Sequence, residues 1–453
     1  MKHILRYGTH ADKKFIDQKN NYYDTMLFNG NMIAYTPKAI SKFINSNLLN
    51  KSFFIDPQTN AFQYSLKHIK SKGKNDKIPT LKKSYKKLLN NYGEKINKII
   101  SNKDRKLSIK DFNNDFIKNF SKNVMKFQYE KIFEYSKKEN FTEFLNAKEK
   151  LKLRPEYLII PYFSIDRTNT EWLKINKKLV NKSSEIFKEN YKNIKLSAQL
   201  VITLDTLISN IDSIIKNYND NKIKNVMLWI DNFNETDKSQ AKLNAFANLI
   251  KKFCNNNIKV INLYGGYYST ILGHFEDALG FKIEGVSHGL EYGEYRKFAP
   301  VGGGIPKAKY YYYNIHKRFE PPTMNKVLEE RKIISPEDYF EKICDCPICK
   351  KIITDKVESD FYIFLNNEFY TVKGQKGRRN YPSRETREVS LLHYLENKVK
   401  EFNNLKNMDS IKILIDHLER QYTIHKNKFL NDSKHLNRWI CSLRDLKIRW
   451  IMI

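Results

Sequence analysis

Four short apolar runs of this chain each end on an aspartate: Asp56, Asp166, Asp205 and Asp231. Runs of β-branched and aromatic residues bounded by polar residues are typical of buried strands. A carboxylate just past a buried strand lies at the strand's carboxyl end, where parallel α/β folds place their chemistry. The four residues therefore predict a shared acidic pocket, although Asp is also a common helix cap and turn former.

The sharpest local motif contains three cysteines, Cys344, Cys346 and Cys349. Thiols at this spacing can hold one tetrahedral metal ion, which then needs a fourth ligand from elsewhere. We expect His393 to supply it, because this histidine lies in an amphipathic helix that could dock on the cysteines. Three other histidines compete for this role: His417, His425 and His435. Zinc is the default ion for a structural Cys3His site, and unligated thiols seldom cluster this tightly.

The charge and hydropathy of the chain limit its partners and its location. Its 453 residues include 81 Lys and Arg against 50 Asp and Glu, a net charge of +31. Such a charge favours polyanions, since displacing counterions from phosphates drives association, although AT-rich coding would also raise the lysine content. No apolar run approaches the ~20 residues needed to span a bilayer, and no signal peptide is evident. We expect a cytoplasmic protein without membrane contact.

The strand and helix patterns predict an α/β fold with inserted and appended parts. Strand-like runs occupy residues 1–66 and alternate with helical patterns over 153–334, the last of them near 309–314. Repeated strand–helix units imply a parallel sheet, and this many fit a (β/α)8 barrel of the TIM type. A doubly wound open sheet is the alternative, without a dinucleotide fingerprint or P-loop to support it. Residues 67–152 predict a helical insertion, and 335–453 a zinc-binding and helical C-terminal module.

Basic residues alternate with glycines beside the cysteine module. Four of them are candidates for phosphate contacts along a nucleic-acid backbone: Lys373, Lys376, Arg378 and Arg379. Lys and Arg on a glycine-rich loop suit such contacts. A solvated surface loop is the alternative.

Two segments carry a resemblance to a known family. Residues 56–66, Asp-Pro-Gln-Thr-Asn-Ala-Phe-Gln-Tyr-Ser-Leu, resemble the Asp-Ser-Gly-Gly-Phe-Gln-x-x-Ser-Leu segment of tRNA-guanine transglycosylases, with one residue inserted. The family's Cys-x-Cys-x-x-Cys zinc motif and helical His are similar to Cys344, Cys346, Cys349 and His393, with a longer gap before the His. The resemblance covers most of residues 50–400 in order, and only these two motifs are specific.

The resemblance implies roles for individual residues at a purine-binding pocket. Asp56 would be the general acid/base at the exchanged base, Phe62 would stack on the purine, and Asp166 would hydrogen-bond the Watson–Crick edge. A core position is the alternative for Phe62, as for most Phe residues. We expect five further residues to line the pocket: Gln63, Asp205, Gly265, Gly266 and His288.

The nucleophile is where the chain departs from the family. The family's nucleophilic Asp follows a late barrel strand in a Phe-Asp segment, and the corresponding stretch here has no Asp. Glu284 would be a longer carboxylate in that role, or the nucleophile would be Asp231, the clearest strand-end carboxylate of the second half. We favour Asp231. Either can serve covalent glycosyl chemistry, which needs a carboxylate within reach of the anomeric carbon.

The resemblance thus implies a zinc-containing base-exchange enzyme. Guanine would leave a nucleic acid after protonation by Asp56, and a 7-deazaguanine would replace it through a covalent glycosyl intermediate. The departures, the helical insertion and the charge favour the family's DNA-modifying branch of bacteria and phages, which inserts 7-cyano-7-deazaguanine or a relative. A tRNA enzyme and a non-catalytic zinc-containing nucleic-acid-binding protein are the alternatives. The sequence does not decide between a monomer and a homodimer.

Overall fold

Eight parallel strands form the central sheet. They are β1 (Lys2–Arg6), β2 (Thr25–Asn29), β3 (Ser52–Asp56), β4 (Tyr157–Ile159), β5 (Lys195–Ile202), β6 (Asn225–Ile230), β7 (Lys259–Asn262) and β8 (Ile283–Gly289). Their order in the sheet is β3-β2-β1-β8-β7-β6-β5-β4. The computed structural model describes residues 1–451 apart from 9–21, 49, 72–78, 140–142, 144, 169, 220–221, 291–292, 300–306, 372–377 and 427–429.

The two end strands of this order, β3 and β4, meet and nearly close the sheet into a barrel. Glu156 N, just before β4, donates to Phe53 O of β3 at 2.7 Å. The side-chain amide of Gln128 then takes the place of a neighbouring strand: Oε1 accepts from Ile159 N at 2.9 Å, and Nε2 donates to Ile159 O at 2.8 Å. The expected α/β barrel of TIM type is confirmed, and the open doubly wound sheet is excluded.

Helices connect the strands and surround the barrel. In chain order they are α1 (Gly30–Tyr35), α2 (Pro37–Asn47), α3 (Lys83–Tyr92), α4 (Glu94–Asn97), α5 (Asn114–Lys138), α6 (Ala147–Lys152), α7 (Glu171–Asn190), α8 (Leu204–Tyr218), α9 (Gln240–Asn255), α10 (Tyr267–Leu272) and α11 (Glu276–Leu279). Helices α3 to α6 all lie between β3 and β4 and make up the predicted helical insertion. Among the described helices of the chain, none is both long and apolar enough to span a membrane.

The C-terminal module begins with an antiparallel ribbon. Its elements are β9 (Tyr310–Tyr312), β10 (Lys317–Phe319), α12 (Pro321–Glu330), α13 (Pro336–Lys342), α14 (Pro347–Ile352), α15 (Val357–Asp360), α16 (Tyr362–Leu365), β11 (Asn367–Thr371), β12 (Arg378–Pro382), α17 (Arg384–Lys406), α18 (Ile411–Lys426) and α19 (Leu430–Ile451). The strand expected near 309–314 is β9, but it pairs with β10 and not with the barrel. The eight barrel strands are already complete at β8, so the sheet offers no place for it.

Two apolar layers divide the core. One lies inside the barrel and includes Ile4, Phe54 and Trp229. The larger layer lies between the strands and the helices. The inner layer is tight at Gly285, where an added Cβ would come within 2.8 Å of Ile4 Cδ1. Glycine is therefore required there by close packing.

The Gln128 contact yields a stability prediction. Gln128→Ala should lower the free energy of unfolding by about 2–4 kcal/mol, because two buried backbone groups of Ile159 lose their partner. Asn119→Ala, on the same helix but exposed, should change it by less than ~0.5 kcal/mol. Chemical denaturation of both variants measures the difference, and equal effects would show that the amide does not replace a strand.

Candidate metal centre and barrel mouth

The three cysteines and His393 come together in one buried cluster. Their ligand atoms all lie within 4.8 Å of one another. His393 Nδ1 is 4.0 Å from Cys344 Sγ, 3.4 Å from Cys346 Sγ and 3.3 Å from Cys349 Sγ. Zinc–sulfur bonds of ~2.3 Å and a zinc–nitrogen bond of ~2.0 Å in a tetrahedron separate sulfur and nitrogen by about 3.6 Å. The cluster therefore fits a tetrahedral metal ion.

Local structure explains why these four side chains converge. Cys346 caps the N-terminus of α14, where its Sγ accepts from Cys349 N at 3.4 Å, and Pro347 begins the helix. Both thiols then face α17, which carries His393. The imidazole is fixed by its other nitrogen, since Nε2 lies 2.8 Å from Tyr311 O. That contact selects the tautomer that leaves Nδ1 free as a ligand.

The competing histidines have other partners. His425 Nε2 lies 2.8 Å from Tyr312 Oη, and His435 Nε2 lies 2.7 Å from Ile315 O. Burial lowers the pKa of His417 to about 4, and this residue is not part of the cluster. Among the described residues, His393 is therefore the fourth member of the group, as expected.

The second site is the carboxyl end of the barrel, here called the barrel mouth, where Asp56 ends β3. Its carboxylate is 1% exposed. Oδ1 accepts hydrogen bonds from Tyr162 Oη at 2.7 Å and from Gln58 N at 3.0 Å, and Oδ2 lies 3.9 Å from Arg6 Nη1. Asp56 is thus placed at the end of the barrel where the sequence analysis expected it.

Arg6 ends β1 and lies beside Asp56 in the barrel mouth. Its Nη1 donates to Asn29 Oδ1 at 3.0 Å, and its guanidinium stacks 4.1 Å from the centre of the Tyr264 ring. Burial lowers the pKa of Arg6. A second buried arginine, Arg296, reaches Tyr264 Oη from Nη1 at 3.4 Å. The mouth therefore combines two cations, one buried carboxylate and an aromatic ring.

A strap of residues 293–298 crosses this end of the barrel. The carbonyl of Arg296 accepts from Trp229 Nε1 at 3.1 Å and from Asn232 N at 2.9 Å. Phe298 N donates to Asp231 Oδ1 at 2.7 Å, and the Phe298 ring packs in the inner layer. Burial raises the pKa of Asp231.

Three of the four strand-ending aspartates lie at the barrel mouth. Asp166 follows the bridge between Ile165 and β5, and its Oδ1 accepts from Thr168 N at 2.8 Å. Burial and the charges of Asp231 and Asp166 raise the pKa of Tyr64, so both carboxylates lie near that ring. Asp205 differs: it is exposed in the first turn of α8, where the turn preference of Asp explains its position.

Two residues of the 56–66 segment do not reach the pocket. The short helix Thr59–Gln63 turns Phe62 away from the barrel, and its ring is fully buried against Tyr85 and Tyr92 of the insertion. The expected purine-stacking role is wrong, and the core alternative holds. Gln63 is also structural, since its Nε2 donates to Ser164 O at 2.9 Å and its Oε1 accepts from Ser164 N at 2.9 Å.

Two residues of β8 are also misplaced for the expected roles. Glu284 lies at a bulge at the start of the strand, at the amino-terminal end of the barrel, 3.7 Å from Lys259 Nζ. A nucleophile opposite Asp56 must lie at the other end, so that assignment is wrong. His288 points outward, with Nε2 2.5 Å from His3 Nε2 and Nδ1 3.1 Å from Tyr394 Oη. It packs beneath α17 and does not line the pocket.

Gly265 and Gly266 lie between β7 and α10, next to two carboxylates. A Cβ on Gly266 would meet Glu235 Oε2 at 2.9 Å and Glu294 Oε2 at 3.4 Å. Glu235 accepts from Ser269 N at 3.2 Å and from the Ser269 hydroxyl. Burial raises the pKa of Glu235 to about 7. The glycines thus leave room for an acidic pair, which the sequence analysis did not single out.

The basic candidates lie at the β11–β12 hairpin. Arg378 is exposed at the start of β12, and Arg379 is its neighbour in that strand. Lys373 and Lys376 fall outside the described residues. The hairpin therefore presents at least one free-standing guanidinium beside the metal module.

The sequence analysis missed Arg6, Tyr162, Tyr264 and Arg296. A signal existed for Arg6, which is a cation directly after the apolar pair of β1. Comparison of the chain with protein-family models, with curated proteins and with solved structures finds no match. Function must therefore be argued from the sites themselves.

The metal centre yields the first prediction at this site. The purified protein should contain about one metal ion per chain, and Cys346→Ser should lose it and destabilise the C-terminal module, because metal-binding free energy there is folding free energy. Cys254→Ser, outside the cluster, should keep the metal. Elemental analysis of both variants checks this. Protein purified without chelators that contains no metal would contradict the assignment.

The buried Glu235 yields a prediction on pH. An acid with a folded pKa near 7 and an unfolded pKa near 4.5 keeps its proton only in the folded state between these values. Its contribution to stability is therefore present at low pH and is lost as pH rises from about 4.5 through 7. Glu235→Gln should remove this loss, so its unfolding free energy relative to the parent should rise by about 3 kcal/mol between pH 4.5 and 8.

The matched control is Glu134→Gln, an exposed glutamate of α5. Its unfolding free energy relative to the parent should stay constant over the same range. Denaturant titrations at several pH values measure both variants. A flat difference for Glu235→Gln would show that the carboxyl is ionised in the folded protein.

Proposed function

We propose that the protein is a base-exchange transglycosylase that replaces guanine in DNA with a 7-deazaguanine. The observation that carries this proposal is the placement of Asp56 and Asp231. They follow β3 and β6 at the same end of one barrel, and two carboxylates at one site are what covalent glycosyl exchange requires.

Each carboxylate has surroundings that suit its proposed role. Burial raises the pKa of Asp231, so forming a neutral glycosyl ester relieves a charge that the site solvates poorly. Asp231 would attack C1′ of the guanosine. Asp56, fixed by Tyr162 and Gln58 through one oxygen, would protonate the departing guanine and deprotonate the incoming 7-deazaguanine. Two displacements retain the anomeric configuration.

The metal in this proposal is zinc. Cys344, Cys346, Cys349 and His393 would hold it, since three thiolates and one imidazole in a tetrahedron are its usual structural ligands. Four protein ligands leave no open position for substrate. The zinc would therefore stabilise the C-terminal module and would take no part in the exchange.

A DNA substrate is supported by charge and by the departures from the tRNA enzymes. The net charge of +31 and the exposed Arg378 of the hairpin suit phosphate contacts. The target nucleotide must leave its stack to reach the barrel mouth. Phosphate contacts do not distinguish DNA from RNA, so tRNA remains the alternative substrate.

One observation favours a non-catalytic nucleic-acid-binding protein as a second candidate. The strap places Phe298 inside the barrel mouth, and Phe62 is buried in the core and unable to stack on a base. A barrel that has lost activity would show the same burial. The catalytic proposal requires that the strap moves when substrate binds.

An exchange assay separates these candidates. Labelled guanine should be incorporated into DNA by the parent protein and not into unmodified tRNA. Asp56→Asn should slow incorporation by about 100-fold or more, as expected for loss of a general acid/base, and Asp231→Asn should abolish it. Asp237→Asn, an exposed aspartate of the same β6–α9 loop, should leave the rate unchanged.

The other outcomes are equally informative. Incorporation into tRNA alone would reverse the choice of substrate and keep the carboxylate roles. No incorporation into either, together with tight DNA binding, would support the non-catalytic candidate.

A further inference from the structure

Arg6 carries donors that the folded chain does not use. One nitrogen, Nη1, donates to Asn29 Oδ1 at 3.0 Å. Nε and Nη2 are buried, and within the described part of the chain they have no hydrogen-bond partner. Leaving buried donors unpaired costs about 1–3 kcal/mol each. A buried guanidinium with two free donors is a strong indication of a ligand-binding position.

The acceptor beside these donors belongs to Asp56. Both hydrogen bonds to this carboxylate go to Oδ1, whereas Oδ2 faces Arg6 at 3.9 Å. The barrel mouth therefore offers a donor and an acceptor side by side, at the ends of β1 and β3. Asn29, at the end of β2 between them, fixes the guanidinium.

Other polar atoms inside the barrel are also unpartnered. Strand register directs Gln199 and Ser287 inward, because they pair with Met227 and Ile4 of the inner layer. Both amide atoms of Gln199 and the hydroxyl of Ser287 are buried without a partner among the described residues. An interior built only as packing would be apolar at these positions.

Aromatic side chains form one side of the same space. The Tyr264 ring stacks with Arg6 at 4.1 Å, and Trp229 lies 4.9 Å from Tyr264 and 5.4 Å from Phe298 between ring centres. Flat aromatic walls suit a planar heterocycle.

We infer that Arg6 and Asp56 together bind the lactam edge of a nucleobase, a ring carbonyl next to a ring N–H. Arg6 donates to the carbonyl oxygen and Asp56 Oδ2 accepts from the neighbouring N–H. Arg6 is then the residue that selects a 6-oxopurine over a 6-aminopurine. The choice of a purine rests on the proposed function, and the lactam edge rests on the side chains.

The competing ligand classes fit this pair less well. A phosphate or carboxylate would meet Arg6 but would also be repelled by Asp56 at the same site. The 6-amino group of an adenine would point a donor at the guanidinium, and its N1 would point an acceptor at the carboxylate. Both contacts would be unpaired, which a buried site rejects strongly.

Access to the pair requires displacement of the strap. Arg6 and Asp56 are 4% and 1% exposed, and Phe298 packs over the same aromatic wall. The strap is tied to the barrel by the Arg296 carbonyl and by Phe298 N. Phe298→Ala should therefore strengthen binding of every base without changing the preference among them.

The test measures binding of free bases to the full-length protein by equilibrium dialysis. Hypoxanthine has the lactam edge, purine lacks it, and 1-methylhypoxanthine keeps the carbonyl but loses the N–H. The parent protein should bind hypoxanthine at least about 10-fold more tightly than either analogue, as expected for a lost pair of buried hydrogen bonds. Equal binding of hypoxanthine and purine, or of neither, would overturn the inference without any variant.

Two arginine variants then assign the preference. Arg6→Met should reduce the hypoxanthine-to-purine ratio to about 1–2. Arg296→Met, which removes the other buried arginine of the mouth, should preserve the ratio. A preserved ratio in Arg6→Met would overturn the role of Arg6 and leave a structural ion pair only.

These outcomes are distinct from failure of the proposed function. A protein that prefers hypoxanthine through Arg6 but exchanges no guanine would keep this inference and refute the transglycosylase. A protein that exchanges guanine with no preference between hypoxanthine and purine would refute this inference alone.

Discussion

The barrel mouth depends on the burial of one carboxylate, Asp56. Burying a charge is costly unless it is paired and hydrogen-bonded, and Asp56 is 1% exposed. Its partners come from three other places in the chain: Arg6 of β1, Gln58 N of the following loop and Tyr162 beyond β4. Arg6 in turn is held by Asn29 and Tyr264. One carboxylate thus fixes the ends of β1, β2, β3, β4 and β7 relative to one another.

Helix α17 joins the metal centre to this mouth. It carries the ligand His393, and two turns further on Lys398 contacts Glu294 of the strap at 3.0 Å and Glu401 at 2.6 Å. Tyr394 donates to the same Glu294 at 3.2 Å. A metal that fixes α17 therefore also fixes the residue from which the strap crosses the barrel. The closed Cys3His site has a structural role that reaches the proposed active site without touching substrate.

The sequence predicted what depends on local pattern. Apolar runs gave the strands, and the cysteine spacing with an amphipathic helix gave all four metal ligands. It failed where the direction of a side chain decides the role. Phe62 lies in a short helical turn that points outward, and Glu284 lies at the wrong end of its strand, so neither follows from position in a motif. Arg6 and Tyr264 were missed because their meeting needs the barrel to close, which no local pattern encodes.

The proposed mechanism is tested most directly by trapping its covalent intermediate. Incubation of the parent protein with guanine-containing DNA, without an incoming base, should leave DNA attached to the chain under denaturing conditions. Peptide mapping by mass spectrometry should place the attachment on Asp231, and Asp231→Asn should show none. An attachment to another carboxylate would move the nucleophile, and the absence of any adduct while labelled guanine is still exchanged would contradict the covalent mechanism.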